Sequence, residues 1–138
     1  MNCKSHFIFW SIVILLFLWF FIILCPKCNA QETMKWRWAK DTFLTPDGAI
    51  RLDKQQHFAG CFGFYVVARL CGATKKQATL TVLLSGIAWE VKDALIPYEK
   101  YGWWGGDGFS WRDCVTNVAG WFFGYTIVEF IESVFLNK

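Results

Sequence analysis

The chain has 138 residues and a formal net charge of +3; with a 30-residue leader set aside, 108 residues remain, at a charge of +1 because Lys4 and Lys27 leave with it. That length holds one domain and excludes two. So weak a charge excludes nucleic acid as an expected partner.

Met1 to His6 carry one Lys, Phe7 to Cys25 are almost wholly apolar, and Lys27-Cys28-Asn29-Ala30 leads into polar Gln31-Glu32. Small residues at 28 and 30 suit an export signal cut after Ala30. The apolar run of 19 residues (7 to 25) exceeds the usual signal core of about 7–15 and approaches the ~20 that span a bilayer. Residues 1–30 therefore read as a cleaved signal peptide or a retained membrane anchor, and either places the remainder outside the cytoplasm or at a membrane face. Leu24 before Cys25 and Lys27 before Cys28 are not the small residue that lipoprotein processing prefers.

Residues 31–52 form a polar and aromatic lead-in. Lys35, Trp36, Arg37, Trp38 and Lys40 alternate cation and indole, which suits either a lipid headgroup layer or an ordinary amphipathic surface segment. Thr45-Pro46-Asp47-Gly48 is a turn, since Pro fixes one dihedral and Gly tolerates the other.

Residues 53–138 form an all-α domain, a compact up-down-up bundle of three apolar helices. Each opens with a cap-type residue three places before an acid or amide: Asp53 with Gln56, Thr74 with Gln77, Ser110 with Asp113. The first helix runs from about Asp53 until Gly72 ends it, and the second from Thr74 until Pro97 stops it; the third runs from Trp111 toward Phe135. Arg69, Lys76, Glu90 and Glu129 interrupt the apolar runs, so the helices are the core of a tight bundle or segments partly sunk in a membrane. Gly120 and Gly124 make a G-x-x-x-G face for close approach, and Gly60 with Gly63 offers the same on the first helix. Two residues, Gly72 and Ala73, separate the first helix from the next cap, which makes these helices antiparallel neighbours.

The second link, Ile96 to Phe109, interleaves Gly102, Gly105, Gly106 and Gly108 with large aromatics. It reads as a mobile lid or membrane-contacting loop, or as rings that cap the bundle end; no G-K-[ST] follows, so it is not a phosphate-cradling loop. Cys61, Cys71 and Cys114 stay in the mature chain. Buried apolar thiols are the expectation, with a Cys61–Cys114 disulfide the alternative.

Up-down-up topology brings three polar helix ends together. Asp53 and His57 share a face at spacing four with Lys54 beside them, Glu90 and Asp93 share one at spacing three, and Asp113 and Asn117 at spacing four. His57 with Glu90 and Asp93 is the candidate set for a divalent cation. His57, Glu90, Asp93 and Asp113 are the candidates for acid–base catalysis, histidine being the side chain that ordinarily titrates near neutrality. Asp53, Lys54, Ser110 and Asn117 are candidate binding residues, and Ser110 as a nucleophile is the weakest option, lacking a strand-turn-helix elbow. Helix capping accounts for Asp53, Ser110 and Asp113 without any function, and Lys54 is free to pair with Glu90 or Asp93. Capping leaves His57, Glu90, Asp93 and Asn117 unexplained.

Asp53-Lys54-Gln55-Gln56-His57-Phe58, Glu90 and Asp93, Gly108-Phe109-Ser110-Trp111-Arg112-Asp113 and Val118-Ala119-Gly120 through Gly124-Tyr125 resemble the YfiM-like family of periplasmic lipoproteins, whose function is unknown. A fainter similarity reaches VanZ-like membrane proteins, in the D-K-x-x-H opening and the later D-x-x-x-N. The resemblance covers about Leu52 to Tyr125; the chain departs from it at Trp89, where the family often has Lys, and in lacking a lipobox. It implies a bacterial envelope protein and singles out the same eight polar positions, but supplies no reaction. Two functions are expected to compete: a non-enzymatic helical module at a membrane surface that docks an envelope partner, and a hydrolase or transferase acting on a lipid or cell-wall headgroup.

Overall fold

In the computed structural model, which describes residues 35–136, the three expected long helices are α1 (Leu52–Leu70), α2 (Lys75–Leu95) and α4 (Trp111–Ile131). A single-turn helix α3 (Tyr98–Tyr101) and a 3-10 turn (Gly102–Trp104) lie in the second link, and a π-helical turn (Glu132–Leu136) continues α4. The described residues contain isolated bridges and no β-strand, so the all-α class holds. The expected signal or anchor at residues 1–30 lies outside the described residues.

Local chemistry sets most helix boundaries as expected. Thr74 accepts from Gln77 N while Gln77 Oε1 accepts from Thr74 N at 2.9 Å, completing a reciprocal cap. Gly72 takes φ +86° after α1, a conformation that costs Gly nothing, and its N–H reaches Arg69 O at 2.9 Å. α2 ends at Leu95, two residues before Pro97. Asp53 corrects the expectation: α1 begins at Leu52 behind Arg51, so Asp53 falls inside the first turn and caps nothing. Its carboxylate binds Lys54 Nζ at 2.9 Å and Arg51 Nε at 3.4 Å instead.

The helices run up, down, up. Contacts between the starts of α1 and α4 and the end of α2 define one pole, and ion pairs Arg69–Glu132 and Lys75–Glu129 define the other. α4 lies along α1 because Gly120 and Gly124 let the backbones meet: a Cβ at 120 would overlap the Phe58 carbonyl oxygen, and one at 124 would stand 3.1 Å from that of Phe62. Gly60 and Gly63 face open space and take no part in this packing, contrary to expectation. The three thiols are free, with Cys61 buried, Cys71 exposed and Cys114 between; the disulfide alternative does not hold.

The second link is closely packed at Gly105, Gly106 and Gly108, while Gly102 faces open space. A Cβ at Gly106 would collide with the Asp93 side chain, and Gly108, at φ +121°, lies against the Trp38 backbone. Glycine serves close approach there.

The buried apolar set is small, chiefly Cys61, Tyr65, Ala68, Ala78, Val82, Ala94 and Trp104, while Lys54, Glu90, Lys92, Ser110, Asp113 and Asn117 are buried beside it. Outside, Val67, Leu80, Leu84, Ile87, Val118, Phe122, Phe123 and Phe130 are exposed. Among the described residues one segment, Trp111–Phe135, is long and apolar enough to cross a membrane, and only 11% of its most apolar stretch is buried.

Candidate functional site

The polar pole is assembled by all three long helices and by the lead-in. Arg37 N donates to Ala94 O at 3.1 Å, Phe109 N to Arg37 O at 2.8 Å and Ala39 N to Phe109 O at 2.9 Å, so the lead-in is strapped across the end of α2 and the start of α4. The guanidinium of Arg37 adds a bond to Gly106 O at 2.6 Å. This register sets Asp41 over the pole. Asp41 receives Ser110 Oγ at 2.8 Å, Arg112 Nη1 at 3.3 Å and the ammonium of Lys54.

Lys54 is enclosed by three carboxylates: Asp113 Oδ1 at 2.6 Å, Asp53 Oδ2 at 2.9 Å and Asp41. It pairs with neither Glu90 nor Asp93, the partners expected for it. Burial works against its charge, yet bonds to Asp113, Asp41 and Asp53 outweigh that and hold its pKa above the ordinary lysine value. Burial likewise tends to raise Asp41 and Asp53, and both end below the usual carboxylate value because Lys54 bonds to each.

Ser110 caps α4 by accepting from Asp113 N at 3.0 Å, but Asp113 does not complete the cap. Glu90, from a different helix, accepts from Ser110 N through Oε2 at 2.9 Å and takes the place expected for Asp113. Asp113 is thereby left to Lys54 and His57. This explains one acid at the end of α2, where the helix dipole opposes a negative charge: Glu90 belongs to the start of α4.

Glu90 is 1% exposed, and its second oxygen, Oε1, is buried without a hydrogen bond. Burial, partly opposed by the Ser110 N–H and reinforced by Asp113 and Asp93, pushes its pKa up to about 7. His57 Nε2 lies 3.7 Å from Glu90 Oε1 and 3.8 Å from Asp113 Oδ2, and His57 Nδ1 lies 3.1 Å from Asn117 Oδ1. Asn117 Oδ1 also accepts from Cys61 Sγ at 3.3 Å.

Asp93 stands apart from this group. It pairs with Lys92, which bonds Trp104 O at 2.9 Å and sits 4.4 Å from the Trp89 ring centre. Burial raises the pKa of Asp93, and Lys92 and His57 draw it back. Asp93, His57, Asp113, Asp53 and Asp41 line a cleft of about 210 Å³ that opens between the lead-in and the glycine-rich link.

All eight positions singled out in the sequence therefore meet at one pole, with Glu90, Asp113 and Asn117 gathered on His57 and with Asp53 and Asp113 on Lys54. Asp41, Arg112 and Lys92 belong to the same pole and carry no spacing signal in the sequence; the one visible hint is Asp41 as an acid among the cations of the lead-in. No protein-family model, curated protein or solved structure matches this chain.

Proposed function

We propose that the chain is a non-enzymatic, membrane-associated helical module of the bacterial cell envelope, with its polar pole at headgroup level as a binding surface. One observation carries this: charge is inside and hydrocarbon is outside. Among the described residues six polar or charged ones are buried, while Leu80, Leu84 and Ile87 on α2 and Val118, Phe122 and Phe123 on α4 are exposed. Soluble domains rarely leave so many large apolar side chains on their helices in water. Exposed Trp36, Trp38, Trp103 and Trp111 gather at the polar pole, as indoles do at a membrane–water boundary. The bacterial envelope is supported by the resemblance to YfiM-like proteins, and an envelope protein docked at the same pole is compatible with it.

The test is photocrosslinking of the full chain, reconstituted in phospholipid vesicles whose acyl chains carry photoactivatable groups, with adducts mapped by mass spectrometry. Adducts are expected at Leu80, Leu84, Ile87, Phe122 and Phe123. Adducts confined to residues 1–30 sink the reading, because the bundle would then be held near lipid without touching it.

A second reading, a hydrolase or transferase acting on a lipid or cell-wall headgroup, is favoured by the cleft in which His57, Asp93 and Asp113 converge. If His57→Ala keeps the fold and leaves binding of phospholipid headgroups and cell-wall fragments unchanged, that reading is removed.

A further inference from the structure

Three ligand-capable atoms converge at the polar pole, one each from His57, Glu90 and Asp113. The Cys61 thiol donates to Asn117 Oδ1 at 3.3 Å, and the same oxygen faces His57 Nδ1 at 3.1 Å. An acceptor there requires the imidazole proton on Nδ1. In the neutral ring Nε2 then presents a lone pair toward Glu90 Oε1 at 3.7 Å and Asp113 Oδ2 at 3.8 Å. These separations exceed any direct hydrogen bond, and Glu90 Oε1 is buried with no other hydrogen-bond partner. Lone pairs facing one another in a buried place repel unless a proton or a metal cation stands between them, and a bound cation displaces such a proton.

We propose that His57 Nε2, Glu90 Oε1 and Asp113 Oδ2 form a binding site for one divalent first-row transition cation such as Zn²⁺ or Mn²⁺. Bonds of about 2.0–2.2 Å at tetrahedral angles place neighbouring ligand atoms roughly 3.3–3.6 Å apart, close to the 3.7 and 3.8 Å that separate His57 Nε2 from the two carboxylate oxygens. The three ligand atoms lie within 4.8 Å of one another. Each ligand is oriented from behind: His57 by Asn117, Glu90 by the Ser110 N–H at 2.9 Å, and Asp113 by Lys54 at 2.6 Å. His57 is partly exposed, and with Asp113 it lines the cleft, which leaves a route in and an open position for water. An imidazole in the set favours transition ions over Mg²⁺ and Ca²⁺. The neighbouring trio Asp41, Asp53 and Asp113 is a poorer site, because the Lys54 ammonium already occupies it. The sequence grouped His57 and Glu90 with Asp93 for this task; the geometry replaces Asp93 with Asp113. The site stands whether or not the apolar belt meets lipid.

Isothermal titration of the full chain in detergent micelles, stripped with chelator, tests the proposal with Zn²⁺, Mn²⁺, Mg²⁺ and Ca²⁺. One equivalent of Zn²⁺ or Mn²⁺ is expected to bind, with Mg²⁺ and Ca²⁺ far weaker. Glu90→Gln, which keeps an oxygen for Ser110 N, and His57→Ala are expected to abolish it. Asn117→Ala, which leaves all three ligands in place, is expected to weaken it about 10–100-fold. Absence of saturable binding by the unaltered chain overturns the site, as does binding that survives both ligand substitutions in variants whose helical circular dichroism is intact. If one ligand variant fails to fold, the other and the unaltered chain decide.

Discussion

Lys54 shows how a buried cation is stabilised when its partners come from three parts of the chain: Asp41 from the lead-in, Asp53 from the same helical turn and Asp113 from α4. Truncating one member of such a group leaves the others buried without compensation. Lys54→Met, which keeps the bulk of the stem, is expected to destabilise the fold by about 3–5 kcal/mol, read from denaturant unfolding in micelles. Asp41 gives a pH dependence. Its folded pKa lies below the unfolded value of 3.8, so its contribution is present above that value and is lost as pH falls through the folded pKa. Acid unfolding below about pH 4 is therefore expected to lose part of its steepness in Asp41→Asn, measured by helical circular dichroism against pH.

At the level of helices, the glycines separate into those that pack and those that do not. Gly120 abuts the Phe58 carbonyl, whereas Gly60 meets nothing. Gly120→Ala is expected to destabilise by about 1–3 kcal/mol as α4 is forced away from α1. Gly60→Ala, in contrast, should be neutral or stabilising by about 0.5–1 kcal/mol from helix propensity; thermal melts of the two variants separate the cases. In sequence the two glycine pairs looked alike, because spacing reveals that a face is small and not what lies opposite. The Thr74 cap, the Gly72 ending and the stop before Pro97 were legible, since each depends on atoms within four residues. The Ser110 cap was half legible: its own oxygen is local, and the partner for its N–H comes from Glu90, 20 positions earlier.

Across the whole molecule, the convergence of polar helix ends was legible because the two-residue link after α1 fixes the first reversal. Asp41 was not, since its place depends on Trp38 pairing with Phe109 across 71 positions. The close packing of Gly106 and Gly108 was illegible for a related reason: glycine supplies either freedom or closeness, and their Asp93 and Trp38 neighbours are remote in sequence. The inside-out distribution makes its own forecast. In micelles, Val82→Ala, at a fully buried position, is expected to cost about 2 kcal/mol, while Leu84→Ala on the exterior stays within about 0.5 kcal/mol. Equal losses at the two positions would show that Leu84 is covered by protein.

The bond from Ser110 N to Glu90 has a consequence for how such a chain can change over generations. Its donor is a backbone group, so position 110 can exchange Ser for another short cap such as Thr and keep the link, and among the ordinary residues only Pro removes it outright. Position 90 has no such latitude. It must carry a carbonyl oxygen at the reach of a four-atom side chain, which leaves Glu and Gln, and of these only Glu offers a second oxygen with charge. Drift is therefore expected at 110 and stasis at 90, with Gln at 90 marking lineages that kept the helix start and gave up the ligand.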